Sequence, residues 1–94
     1  ELGLSGLYRD ELVSVVLDRV RVDEDGTHWI IDYKTSSHEG GNLPAFVQAE
    51  VERYTPQLER YASIYANWSA ATTKCALYFP LLSKFVEVEI DAKS

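Results

Sequence analysis

Asp32 and Lys34 stand two residues apart in His28-Trp29-Ile30-Ile31-Asp32-Tyr33-Lys34-Thr35, a run whose bulky and β-branched residues read as a strand. Alternate side chains of a strand share a face, so Ile30, Asp32 and Lys34 project together, with Trp29, Ile31, Tyr33 and Thr35 on the other side. A carboxylate beside an ammonium suits phosphodiester hydrolysis. The acid can hold a hard cation, while the ammonium orients water or stabilises charge developing on phosphate. A surface strand with alternating charges gives the same dipeptide spacing more often than a site does. The second acid, Asp18, raises the signal. It is set in Val15-Val16-Leu17-Asp18-Arg19-Val20, inside what reads as an otherwise buried strand, where a charge requires a partner or a metal.

Whether Asp18 reaches Asp32 is a question of register. Residues 12–22 carry many β-branched side chains and no Gly or Pro, and are predicted to form one long strand, with a shorter strand possible before it. Asp23-Glu24-Asp25-Gly26-Thr27 is a turn signal, so the strand containing Asp32 returns alongside. A two-residue turn at Asp25-Gly26 would set Asp18 opposite Tyr33 and send the two aspartates to opposite faces. A three-residue loop, Glu24-Asp25-Gly26, with Gly26 in the left-handed conformation, sets Asp18 directly opposite Asp32. Their Cβ atoms would then lie about 5 Å apart, close enough to chelate one cation and repulsive without it. The second register is the expectation, and it puts Lys34 diagonally across from Asp18.

The remaining elements follow from periodicity. Residues 36–42 include Gly40-Gly41 and read as a flexible loop. Helical spacing starts near Pro44 or Ala45 and runs toward Trp68, with Pro56 expected to interrupt it: Thr55 would cap a second segment that Pro56 begins. Residues 72–82 and 84–90 read as two strands, the latter alternating Phe85, Glu87 and Glu89 against Val86, Val88 and Ile90. The order strand, strand, strand, helix, strand, strand predicts an α/β fold. Its mixed sheet would be built from an antiparallel meander and later strands, with a helix packed across it.

With 94 residues, 46% of them hydrophobic, the chain can bury one modest core and no more. A net charge of −6 excludes a domain that grips nucleic acid through a broad basic surface, although carboxylates gathered around a cation would account for part of it. Cys75 is the only cysteine, which excludes an internal disulfide, a cysteine zinc cluster and a redox pair. It reads as a small buried apolar residue and fits a reducing, cytoplasmic setting. No apolar run has the roughly 18 residues of a membrane span, and the start Glu1-Leu2-Gly3 lacks signal-peptide features. The absence of an initiator Met suggests a piece of a longer protein.

Three segments in order now carry a resemblance: Leu17-Asp18-Arg19-Val20, then Ile30-Ile31-Asp32-Tyr33-Lys34-Thr35, then Gln57-Leu58 with Tyr61-Ala62. Together they resemble the RecB-type nucleases of the PD-(D/E)XK superfamily, which commonly form the C-terminal part of UvrD/Rep-like helicase-nucleases. The resemblance covers roughly residues 11–66. It implies a restriction-endonuclease-like core whose first helix lies outside the chain, so that residues 1–94 form a single partial nuclease domain. It also implies that Asp18 and Asp32 bind Mg²⁺, or Mn²⁺ in its place, with the Tyr33 carbonyl as a further ligand. Lys34 becomes the catalytic lysine. Gln57 and Tyr61, four apart on one helical face, would support the site or contact DNA, with Thr35 beside them. The implied partners are DNA and a helicase portion of the same polypeptide, the only part that would use ATP, acting at the nucleoid.

Other titratable residues read more simply. His28 is a partly exposed strand residue, and His38 a solvated loop residue with the option of swinging toward phosphate. Arg19 is expected to pair with a structural carboxylate. Glu39, Glu50 and Glu52 are assigned to the solvated loop and helix surface. Two rival readings stay open: a nuclease-like fold used as a non-catalytic DNA-binding or scaffolding module, and an ordinary α+β interaction domain with fortuitous motifs.

Overall fold

A computed structural model of the chain describes residues 1–36 and 40–90. The elements run β1 (Leu2–Tyr8), β2 (Glu11–Leu17), β3 (Arg19–Val22), β4 (His28–Tyr33), α1 (Leu43–Tyr65), β5 (Thr73–Phe79), a 3-10 turn at Pro80–Leu82, and β6 (Lys84–Val88). β1 and β2 form an antiparallel hairpin, while β3-β4-β5-β6 form a four-stranded sheet. Within that sheet β4 and β5 run parallel and the outer pairs antiparallel, so the sheet is mixed as expected. Parallel neighbours need a crossover, and α1 provides it.

The helix covers one face of the sheet. Leu58, Ala62 and Ile64 of α1 meet Ile30, Cys75, Leu77, Phe79 and Val88 of the strands in the main core, with Val15 and Leu17 contributed by the hairpin. Trp29, Ile31 and Ala76 form a smaller cluster on the opposite face, as the alternation along β4 predicted. Cys75 is fully buried, and burial pushes its thiol up to about 12, which makes it an inert core residue.

Two expectations about the elements need correction. The predicted single strand over residues 12–22 is broken at Asp18, because β2 leaves the main sheet to pair along its whole length with β1, from Leu2 opposite Leu17 to Tyr8 opposite Glu11. Nothing local marks this break, since the cause is a partner strand. Pro56, in turn, does not interrupt the helix, which is continuous from Leu43 to Tyr65. Proline removes the hydrogen bond to the carbonyl four residues back, but Glu52 and Pro56 are both exposed, so water can serve that carbonyl. The Thr55 hydroxyl donates back to the Val51 carbonyl at 2.6 Å and caps no new segment. The helix N-cap is Asn42, left-handed at φ 62°, whose side chain accepts from the Ala45 N–H. No helix is long and apolar enough to cross a membrane among the described residues.

Candidate active site

The β3–β4 connection is the three-residue loop. Asp23 N–H donates to the Thr27 carbonyl at 2.8 Å, Gly26 N–H donates to the Asp23 carbonyl at 3.0 Å, and Gly26 sits at φ +86°. Arg19 therefore pairs with Ile31 and Val20 with Ile30, which sets Asp18, one residue before β3, opposite Asp32. Asp18 is exposed in the bend where the hairpin departs, and this corrects the expectation of a buried mid-strand acid. The Tyr33 N–H points to the side that β2 has vacated and donates to Asp18 Oδ2 at 3.0 Å, so the carboxylate takes the place of a ladder carbonyl.

Asp32 lies on the helix-facing side of β4 and is only 6% exposed. Its Oδ2 accepts from Lys34 Nζ at 3.0 Å and from Gln57 Nε2 at 3.0 Å. The same Gln57 amide nitrogen donates to the Tyr61 hydroxyl at 2.9 Å. Gln57 and Tyr61 come together because they are one helical turn apart. Burial, followed by the hydrogen bond with Asp18, pushes the Asp32 carboxyl up to about 6, against the downward pull of Lys34. Asp18 moves the other way, lowered first by its hydrogen bond with Asp32 and then by the Tyr33 N–H. The two shifts have opposite signs, as for paired acids of which one keeps its proton until the pH passes about 6. The Tyr61 hydroxyl is raised by burial and by the nearby negative charge of Asp32 and Asp18.

The structure therefore gathers Asp18, Asp32, Tyr33, Lys34, Gln57 and Tyr61 at one corner, where the β2–β3 bend, the end of β4 and the middle of α1 meet. Thr35 is exposed beyond β4, and among the described residues no hydrogen bond or ion pair joins it to the others. The two carboxylates are hard oxygen donors suited to Mg²⁺ or Mn²⁺, ions that keep several waters. Lys34 occupies Asp32 Oδ2, so a cation taken up by that carboxylate would share it with the ammonium and weaken the ion pair. No group of three or more His, Cys, Asp or Glu side chains able to hold a metal occurs among the described residues. A depression of about 510 Å³ opens beside Asp18, lined by Glu1, Leu2, Arg19, Val20 and Tyr33.

Arg19 makes no ion pair among the described residues and lines that depression, contrary to the expected structural pairing. Glu50 is buried, at 8% exposure, although it was assigned to the helix surface: it lies four residues from both Phe46 and Tyr54, on the stripe that turns toward the sheet. His28 is half-buried, with Nδ1 2.6 Å from the Tyr65 hydroxyl at the opposite end of β4 from Lys34, and belongs to the scaffold. His38 and Glu39 lie outside the described residues. Sequence reasoning missed Tyr54, whose ring centroid is 3.7 Å from Lys34 Nζ. Its spacing of three and seven residues from Gln57 and Tyr61 was the available signal, since all three must share a helix face.

No curated protein matches the chain. The family model of the PD-(D/E)XK nuclease superfamily matches residues 6–91, a span that includes every one of the clustered residues. Nucleases of this superfamily typically use divalent metals and act on DNA, in keeping with an oxygen-rich corner beside a lysine on a mixed sheet, and the chain belongs to that superfamily.

Proposed function

We propose that the chain is the Mg²⁺-dependent nuclease part, exonucleolytic in mode, of a larger helicase-nuclease that works on DNA in repair or recombination. The observation that carries the reading is Asp18 opposite Asp32, with Lys34 on the same Asp32 oxygen. The order of the three RecB-like segments supports the helicase context. The acidic balance of the chain supports it too, since a separate motor would supply the electrostatic grip on DNA. Cys75 as a free thiol suits a cytoplasmic, nucleoid-associated location.

Asp18, Asp32 and the Tyr33 carbonyl would hold the cation. When bound, it acidifies water and offsets charge on the phosphate. Gln57 fixes the Asp32 carboxylate by donating to Oδ2, with Tyr61 behind it. Lys34 presents an ammonium that orients the attacking water or donates to a phosphate oxygen as charge builds there. Replacing Lys34 by Ala in the full-length protein is expected to lower cleavage of end-labelled DNA at least 100-fold, on the order expected for loss of one such donor. DNA binding and ATP hydrolysis should persist. Cleavage at the wild-type rate would instead favour a nuclease-like fold serving as a non-catalytic DNA-binding module.

A further inference from the structure

Lys34 Nζ lies between two different attractions, 3.0 Å from Asp32 Oδ2 and 3.7 Å from the centroid of the Tyr54 ring. Its side chain is 16% exposed, so much of the water that would weaken a cation–π contact is excluded. The lysine stem is long and flexible, and holding its ammonium in one place requires more than the backbone of β4 can supply. The Lys34 N–H donation to the Tyr78 carbonyl at 2.8 Å anchors only the main chain.

The two attractions respond differently to a divalent cation. A metal on Asp32 competes with Lys34 for the same carboxylate, so the ion pair weakens when the site is loaded. An uncharged aromatic face does not bind Mg²⁺ and is unaffected. We propose that Tyr54 is a positioning residue for Lys34: its ring holds the ammonium at the site once Asp32 is engaged by a cation. The position of Tyr54 fits the task. It is three residues before Gln57 and seven before Tyr61, so the helix face that steadies Asp32 also presents the ring to Lys34. The part Lys34 plays in cleavage rests on the nuclease reading above; the contact itself does not.

Two readouts test this. In carbon–proton correlation spectra of the chain, with the Lys34 signal assigned by its disappearance in Lys34→Arg, the Lys34 ε-methylene resonance should be shifted upfield by the ring. The shift should persist when Mg²⁺ is added, remain in Tyr54→Phe and vanish in Tyr54→Leu. In the full-length protein, Tyr54→Leu should lower kcat for DNA cleavage about tenfold, the scale of a desolvated cation–π contact, with KM little changed and Tyr54→Phe near wild type. If Tyr54→Leu does not fold, Tyr54→Met fills similar space without a π face and takes its place. An unshifted Lys34 resonance, a shift that disappears with Mg²⁺, or an unchanged kcat in Tyr54→Leu would overturn the proposal. If Lys34→Ala abolishes cleavage while Tyr54→Leu does not, Tyr54 loses its role and the nuclease reading stands. If the wild-type protein cleaves nothing with Mg²⁺ or Mn²⁺, the nuclease reading falls, and the Lys34 resonance alone decides whether Tyr54 holds the ammonium.

Discussion

Asp32 keeps its proton to higher pH than an exposed carboxylate does, because burial penalises its charged form and Asp18 shares the proton. Between the ordinary value of 3.8 and the folded value of about 6, the folded chain binds more proton than the unfolded chain. Stability contributed by Asp32 is therefore fully present below that window and lost as pH rises through about 6. Asp18 has the opposite sign. Its lowered carboxyl contributes stability above its unfolded value and loses it as pH falls through the folded one. The metal-free chain is thus expected to have a lower urea midpoint at about pH 7 than at about pH 5, with Asp32→Asn removing most of the difference. A midpoint that is flat or rises over this interval in the wild type would contradict a raised Asp32 carboxyl. Added Mg²⁺ or Mn²⁺ should reverse the trend by replacing the proton.

At the scale of elements, the site depends on one loop. Gly26 at φ +86° allows the three-residue connection that sets Asp18 opposite Asp32. A Cβ added there would meet nothing within 4 Å, so a substitution is opposed by backbone conformation alone. Gly26→Ala should cost about 1 kcal/mol in chemical denaturation, and Gly26→Asn less, because Asn tolerates the left-handed region better. Equal stabilities for all three would mean that the loop can change type without penalty. This loop was legible in the sequence because Asp25-Gly26 allows few turn geometries and only one brings the acids together. Three other features were not. Asp18 reads as mid-strand because the cause of its bend, β1 drawing β2 away, is not local to it. Helix continuity through Pro56 depends on where the helix turns its exposed side. The place of Tyr54 beside Lys34 depends on which strand end its helix face meets, which helical spacing alone does not give.

For the molecule as a whole, a main sheet covered on one face by α1 and flanked by a hairpin brings an acid of the β2–β3 bend and an acid of β4 to a shared corner. Leu17 and Ile30, each one or two residues from an acid of the pair, are buried in the main core, at 0% and 1% exposure. The corner is thereby fixed by core packing. Calorimetric titration of the chain with Mn²⁺ near pH 7 tests the central claim, that Asp18 and Asp32 hold one cation between them. The expected result is one ion per chain, with affinity reduced at least tenfold by Asp18→Asn and by Asp32→Asn separately, and little further in the double variant, as for ligands acting as a unit. Binding that survives either single substitution undiminished, or a stoichiometry of two independent ions each lost with one aspartate, would contradict it.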